Sequence, residues 1–218
     1  MGRKYASYHI YRDHDRNDLE ELSSIFAARS TIDENIVRAT EAFSNPNARN
    51  MMERFLKIYQ NSIIIVLSEK FISIYDETLS FATINAEVKK ISKKIPVPIL
   101  YTSNFDDDVL LFGLVKTGVT LARKHIGQGL ESYGVKPVKS TINRIRDFEE
   151  FRYLPDNTIL EMSNDIGDCE ISIENEFGIL LKLTQYDIDA QPENFKQMNN
   201  TMSLNVFQKI DAVIDEKT

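Results

Sequence analysis

Two strand-like segments near the middle of the chain constrain its fold most. Residues 62–67 read SIIIVL, a β-branched run, and residues 71–75 read FISIY, in which apolar and polar positions alternate. Ser68, Glu69 and Lys70 separate the two runs. β-Branched and aromatic residues favour extended backbone, and a short polar break between two such runs predicts a β-hairpin. Its first strand should be central or half-buried.

The segments around this hairpin extend it to a larger sheet. Alternation over residues 4–12 (KYASYHIYR) predicts a strand with three tyrosines. Similar patterns predict strands at 97–102, 109–115 and 119–125, and helical spacing of apolar residues predicts helices at 18–29, 33–59 (broken at Pro46) and 81–94. This order is the split β-α-β frame of ferredoxin-like folds. We expect an α+β protein whose ferredoxin-like sheet domain covers residues 1–126, with extra hairpin strands and a helical insertion at 33–59.

The remaining chain gives weaker signals. Residues 127–140 (GQGLESYGVKPVKS) are rich in Gly, Ser, Lys and Pro, which predicts a linker. Residues 141–218 are expected to form a smaller α/β region, which is either a separate domain or part of one domain with the sheet. Within it the patterns predict helices at 141–151 and 204–214 and a strand at 157–163. Residues 170–186 carry features of both a helix and a strand.

Composition narrows the class of protein. The 218 residues are 42% hydrophobic and 27% charged, which is ordinary for a globular chain. Cys169 is the only cysteine, which excludes an intrachain disulfide and a cysteine-rich zinc site. The N-terminal residues lack the apolar stretch of a secretory signal, and the longest apolar run is too short to span a bilayer. We therefore expect a cytoplasmic protein without a membrane partner.

Charge is spread unevenly along the chain. Residues 1–103 hold 14 Lys/Arg and 13 Asp/Glu, whereas residues 104–218 hold 12 and 20. An acidic half repels nucleic-acid phosphates and anionic lipid, and it favours a protein partner with a basic surface. The tyrosines of the first strand could stack on RNA bases, but the RNP1 pattern of RNA-recognition modules is absent. We expect no nucleic-acid partner.

Two groups of carboxylates are the candidate site residues. Asp76 ends the second strand of the hairpin, and Asp106, Asp107 and Asp108 form a turn just after Asn104. Carboxylate oxygens suit Mg²⁺ and Ca²⁺, so Asp76 with Asp106 or Asp108 could form a metal site if their strands end at the same edge. The alternative is structural: Asp76 would favour a helix N-terminus, and the acidic turn would be a soluble connection between apolar strands. The acidic turn is also the candidate contact with a basic partner.

Other polar residues fit structural roles better than chemical ones. His9 is expected to be a sheet residue with one hydrogen-bonded nitrogen, and neither His14, within the D-H-D turn, nor His125 has metal-ligand spacing. The glycines Gly127, Gly129 and Gly134 lack the phosphate-loop pattern. Cys169 lies between two acidic residues, which would raise the pKa of its thiol.

One stretch resembles other proteins. The segment EKFISIYDE, followed by a helix and then by PVPILYTSNFDDDVLLFGLVKTG, is similar to an arrangement in uncharacterised bacterial proteins. In those proteins a strand ending in YDE precedes a helix and a D-x-D-V hairpin. The resemblance spans residues 69–118. It implies a bacterial origin and a shared fold, but no activity and no cofactor.

These observations lead to three hypotheses. The first is a non-catalytic bacterial binding module, of the immunity or antitoxin kind, that acts by protein–protein interaction. The alternative is a metal-dependent hydrolase that uses Asp76, Asp106 and Asp108. The third is a small-ligand sensor with a pocket between the sheet and the helical insertion. A free edge strand would allow an oligomer, although nothing in the sequence requires one.

Overall fold

A computed structural model of the chain describes residues 4–12, 46–47, 62–76, 79–183 and 206–211. The described part is a mixed α+β structure built on one antiparallel sheet. Among these residues, no helix combines the length and the apolar character needed to cross a bilayer.

The sheet has seven described strands in the order β6-β5-β4-β1-β3-β2-β7, and every pair of neighbours is antiparallel. The strands are β1 (Lys4–Tyr11), β2 (Ser62–Leu67), β3 (Phe71–Asp76), β4 (Ile99–Phe105), β5 (Val109–Lys116), β6 (Val119–Gly127) and β7 (Val206–Asp211). β1 lies at the centre, between β3 and β4. Side chains alternate between the two faces along each strand, so each face has to be considered separately.

Helix α1 (Ile84–Ser92) connects β3 to β4 and covers the first face of the sheet. Ile84, Val88 and Ile91 recur at helical spacing and are buried against the strands. Burial of each such side chain stabilises the fold by about 1.5–3 kcal/mol. The helix ends shortly before Pro96, which cannot continue an α-helix. This face is almost wholly apolar around Tyr8 and Ile10 of β1.

The chain that follows β6 reaches both faces of the sheet. A 3₁₀ helix at Leu130–Tyr133 comes first and packs on the first face, beside Val109 and Leu111 of β5. The second face is covered by two 3₁₀ helices, Ile142–Asp147 and Glu149–Phe151, and then by α2 (Ile159–Met162) and α3 (Ile166–Phe177). We call residues 141–183 the outer layer. Its apolar underside packs on the sheet through contacts such as Phe151 on Phe71 and Phe177 on Phe112. Residues 178–183, which form neither a helix nor a strand, then pack on the central strands, and we call them the strap.

Strands β1 to β6 and helix α1 lie within a few residues of their predicted positions. The expected linker at 127–140 contains a 3₁₀ helix, and its Leu130 and Val135 are buried against Val109 and Leu111 of β5. The predicted helices at 18–29 and 33–59 lie outside the described residues, apart from 46–47. The predicted helix at 141–151 is made of two 3₁₀ helices.

Two predictions in the C-terminal region were wrong. Residues 157–163 were expected to be a strand, but Thr158 caps α2 by accepting a hydrogen bond from the backbone nitrogen of Glu161. Residues 204–214 were expected to be a helix, but β7 pairs with β2. An exposed strand edge offers backbone partners along its whole length, and this pairing overrides a helical apolar pattern. The undecided stretch 170–186 divides into the second half of α3 and the strap up to residue 183.

Candidate functional site: the covered face and the acidic outer layer

The centre of the second face is polar, although it is covered. Ser7 and His9 of β1, Ser73 of β3 and Thr102 of β4 are all buried there. The antiparallel register brings them together, since Ser7 pairs with Thr102 and His9 pairs with Ser73. Side chains opposite each other on one face of a sheet stand about 5 Å apart, within reach of a hydrogen bond. Three strands that are distant in sequence thus build one polar cluster.

The hydrogen bonds within this cluster end on the strap. Ser7 Oγ donates to the carbonyl oxygen of Leu181 at 2.7 Å, which uses its only proton. Ser7 Oγ therefore accepts from His9 Nε2 at 3.3 Å and from Thr102 Oγ1 at 3.2 Å. His9 Nδ1 lies 2.9 Å from Ser73 Oγ and accepts from it. Both ring nitrogens of His9 have partners, whereas the sequence predicted only one.

Burial keeps His9 neutral. Desolvation lowers the pKa of its imidazole from 6.5 to about 3. A serine beside a histidine is also the arrangement of nucleophilic catalysis, in which the imidazole takes the serine proton. Here the Ser7 proton points to Leu181, and both side chains have no exposed surface. The hydrogen bond from Ser7 attaches the strap to the sheet, and the Ser7 hydroxyl is not exposed to solvent as a nucleophile.

Further hydrogen bonds attach the outer layer to the sheet at two places, Leu180 and Glu170. Tyr75 donates from its hydroxyl to the carbonyl oxygen of Leu180 at 2.8 Å. At the other end of the face, Tyr5 Oη and Asn104 Nδ2 each donate to Glu170 Oε1 of α3 at 2.6 Å. Hydrogen bonds to a carboxylate are among the stronger ones in proteins. Tyr5 of the first strand is thus bound by the protein's own outer layer, and Tyr11 packs on Phe151 of the same layer.

Lys124 of β6 supports α2 from beneath. Its Nζ donates to the carbonyl oxygens of Leu160 at 2.8 Å and of Ser163, both at the C-terminal end of α2. A cation there satisfies carbonyls that the helix leaves unpaired. Desolvation lowers the pKa of Lys124. Cys169 is buried beside it, and desolvation raises the pKa of its thiol, so burial has a larger effect than the acidic neighbours that the sequence pointed to.

The acidic turn at residues 106–108 is a tight hairpin connection. Asp106 and Asp107 have positive φ angles of 59° and 62°, and Asp108 donates from its backbone nitrogen to the carbonyl of Phe105 at 3.1 Å. These features define a type I′ turn, in which aspartate is tolerated because its short side chain accepts left-handed backbone.

The side chains of the acidic turn have partners nearby. Asp106 lies 3.6 Å from Lys4 Nζ, and Asp108 accepts from the hydroxyl of Tyr133 at 2.6 Å. The backbone nitrogen of Asp107 donates to Asn104 Oδ1 at 3.1 Å. Asn104 also binds Glu170, so the acidic turn is linked directly to the outer layer.

Asp76 is buried at the end of β3, with 3% of its surface exposed. It does not cap a helix, because α1 begins only at Ile84. Tyr75 stands opposite Ser7, which pairs with Thr102, so the next residue, Asp76, lies level with Ser103 two strands away. Two strand spacings of about 4.8 Å and three residues of about 3.4 Å put the Cα atoms of Asp76 and Asp106 roughly 14 Å apart. The two strands end at the same edge of the sheet, which is the condition that the metal-site hypothesis required, but β1 lies between them.

Metal ligands are close together in proteins, since each oxygen lies about 2.0–2.6 Å from the ion. Among the residues that the structure describes, no three His, Cys, Asp or Glu side chains are grouped in this way. His125 Nδ1 donates to the carbonyl oxygen of Lys136 at 3.3 Å. Asp13, His14 and Asp15 lie outside the described residues.

The outer layer holds most of the chain's net charge. Residues 141–183 contain four Lys/Arg and ten Asp/Glu, a net charge of −6 out of −7 for the whole chain. Its apolar side chains are not all turned inward: Ile159 and Met162 of α2 and Ile171 of α3 are more than half exposed. The sequence showed that residues 104–218 are acidic. It did not show that most of this negative charge lies in the outer layer, over one face of the sheet.

Comparisons of the chain with protein-family models, with curated proteins and with solved structures found no match.

Proposed function

We propose that this protein is a non-catalytic binding module, of the immunity or antitoxin kind, that attaches to a basic protein partner through its outer layer. The observation that carries the proposal is the concentration of a net charge of −6 in residues 141–183. Like charges on one surface repel each other, and a cationic partner relieves that repulsion. Complementary charge also speeds encounter with the partner and disfavours wrong ones.

Few basic side chains offset this charge within the layer. Arg146 lies beside Glu161 and within 3.4 Å of Asp156, and Arg144 lies within 3.7 Å of Asp147. These two arginines are half of the layer's four basic residues, so most of its carboxylates have no arginine or lysine to balance them within residues 141–183. Surface ion pairs contribute little to folding stability, so carboxylates that face solvent can exchange one cation for another at small cost.

The acidic turn extends the same surface. Asn104 joins Asp107 to Glu170 of α3, so the turn and the outer layer lie side by side. Asp107 is exposed, and Asp106 and Asp108 have their own surface partners. We include Asp106, Asp107 and Asp108 in the proposed contact region.

The rest of the proposal concerns fold and setting. The order β4-β1-β3-β2, with α1 between β3 and β4, supports a ferredoxin-like frame to which β5, β6, β7 and the outer layer are added. Ferredoxin-like frames have many unrelated functions, so function is argued from the surface. A bacterial, cytoplasmic setting is part of the same proposal.

Charge-matched variants test the role of the outer layer. The variant Asp147→Asn/Glu149→Gln neutralises two exposed acids of the layer, and Glu69→Gln/Glu131→Gln neutralises two exposed acids elsewhere. The probe is a lysine-rich peptide, with its binding measured at several salt concentrations. We expect affinity to fall with rising salt, and the outer-layer variant to weaken binding more than the control. Equal weakening by both variants would refute a role for the outer layer.

A further inference from the structure

We propose that α2 and α3 present a docking face for a short amphipathic, basic helix of the protein partner. The docking face consists of Ile159, Met162 and Ile171. This inference rests on the proposed function, because it specifies where on the acidic surface the partner binds and what kind of segment it supplies.

Exposure of large apolar side chains singles out these helices. Ile159, Met162 and Ile171 are 52%, 65% and 59% exposed, and the other large apolar residues of the described chain with high exposure are Val119 and Tyr153. Tyr153 is covered in part by Lys70, whose Nζ lies 4.1 Å from its ring centre. Val119 stands alone at the start of the edge strand β6. In the part of the chain that the structure describes, only α2 and α3 bring three such side chains onto neighbouring elements.

The two helices are adjacent and antiparallel. The backbone nitrogen of Leu160 donates to Ser172 Oγ at 3.1 Å, and Ser163 Oγ donates to Asp168 Oδ2 at 3.2 Å. Ile159 precedes Leu160, which is buried in the core, and Ile171 follows Glu170, which is buried and binds Tyr5 and Asn104 of the sheet. Apolar side chains on the outer sides of two adjacent helices can receive the apolar stripe of a third helix.

Acidic side chains lie close to the docking face along both helices. Asp165 and Asp168 are exposed at the start of α3. The partly exposed Glu161 directly precedes Met162, and the partly exposed Glu174 follows Ile171 by three positions. An apolar centre with a charged rim is the usual composition of a protein interface. The matching partner has an apolar stripe flanked by Lys and Arg, which is the composition of a basic amphipathic helix.

The docking face is supported before any partner arrives. Lys124 binds the carbonyl oxygens at the C-terminal end of α2, and Ile173 and Phe177 anchor α3 in the core. Asp165 caps α3 by accepting from the backbone nitrogen of Asp168 at 3.0 Å. A rigid surface loses little conformational entropy on binding, so more of the interaction energy contributes to affinity.

Binding of a designed peptide tests this inference on the full chain. The probe is a helical peptide of leucine and lysine with its leucines on one face, and the comparison peptide has the same composition in scrambled order. We expect the ordered peptide to bind more tightly. The variant Ile159→Ser/Met162→Ser/Ile171→Ser should lose about tenfold or more in affinity for it, because a few apolar anchors at the centre of an interface carry most of its binding energy.

The matched control is Val119→Ser, which removes an exposed apolar side chain of β6, outside the outer layer, and should leave affinity unchanged. Circular dichroism of each variant checks that it folds. If both peptides bind the unmodified protein equally and the triple variant binds as well as the control, the docking face is wrong while the charge-based function stands. If neither peptide binds, the docking face and the proposed function both fail.

Discussion

Ser7 donates its hydroxyl proton to the carbonyl oxygen of Leu181 across 2.7 Å, joining the first strand of the sheet to the strap 174 positions later in the sequence. Both residues are buried, and Ser7 also receives hydrogen bonds from His9 and Thr102. One small hydroxyl therefore completes the polar cluster and attaches the outer layer to the centre of the sheet.

Replacing Ser7 should destabilise the protein. In Ser7→Ala the Leu181 carbonyl loses its donor inside the protein, and a buried unsatisfied group costs about 1–3 kcal/mol. Urea denaturation would measure the free energy of unfolding. Ser132→Ala is the control, because Ser132 donates to the Gly129 carbonyl on an exposed surface. A loss no larger than that of the control would show that water replaces the Ser7 hydrogen bond.

Protonation of His9 should make stability depend on pH. Its pKa is about 3 in the folded protein and 6.5 when unfolded, so the unfolded chain takes up the proton first as pH falls. The stability that comes from keeping His9 neutral is fully present above pH 6.5, decreases as the pH falls below 6.5, and stops decreasing near pH 3. Within that window the free energy of unfolding changes by about 1.4 kcal/mol per pH unit.

The variant His9→Gln removes this titration, so its free energy of unfolding should change much less between pH 6.5 and 5. Above pH 5 most carboxylates remain ionised in both states, so the slope there reports mainly on histidine. His125→Gln is the control: burial also lowers the pKa of His125, but this side chain is only partly buried. An equal slope in His9→Gln and the unmodified protein would contradict the assignment.

Much of the sheet could be predicted from local patterns. The β-branched run of β2 and the alternation in β1 and β3 define strands without knowledge of their neighbours. Helix α1 could be predicted in the same way, because Ile84, Val88 and Ile91 repeat at the helical period.

The polar cluster could not be predicted in the same way. Ser7 and His9 share one strand face at a spacing of two, but Ser73 and Thr102 join them only through the register of three strands. Strand β7 depends likewise on the free edge of β2. The start of α2 was predictable in principle, because Thr158 three positions before Glu161 is a capping pattern.

Divalent cations should leave the melting temperature unchanged. Asp76 and Asp106 lie on opposite sides of β1, too far apart to share one ion, and an ion that does not bind the native state cannot stabilise it. The measurement is thermal unfolding with and without Mg²⁺, Mn²⁺ or Ca²⁺. A rise in melting temperature that both Asp76→Asn and Asp106→Asn abolish, and that Glu87→Gln preserves, would favour the hydrolase alternative instead.

We expect the ring of Tyr101 to leave no space for a side chain at position 113. The two residues pair across β4 and β5, and a Cβ built on Gly113 would lie 2.5 Å from Cε1 of the Tyr101 ring. The ring is buried and cannot move aside freely. Gly113→Ala should therefore cost about 1–3 kcal/mol of unfolding free energy through overpacking.

The double variant Gly113→Ala/Tyr101→Leu separates this clash from a general intolerance of the strand. Leucine lacks the ring atoms that the new methyl group meets, so Gly113→Ala should cost less in the Tyr101→Leu background than in the unmodified protein. Alanine favours a strand over glycine when space allows, because glycine loses more backbone entropy on folding. If the cost of Gly113→Ala is the same in both backgrounds, the backbone of β5 rather than the Tyr101 ring sets the requirement for glycine.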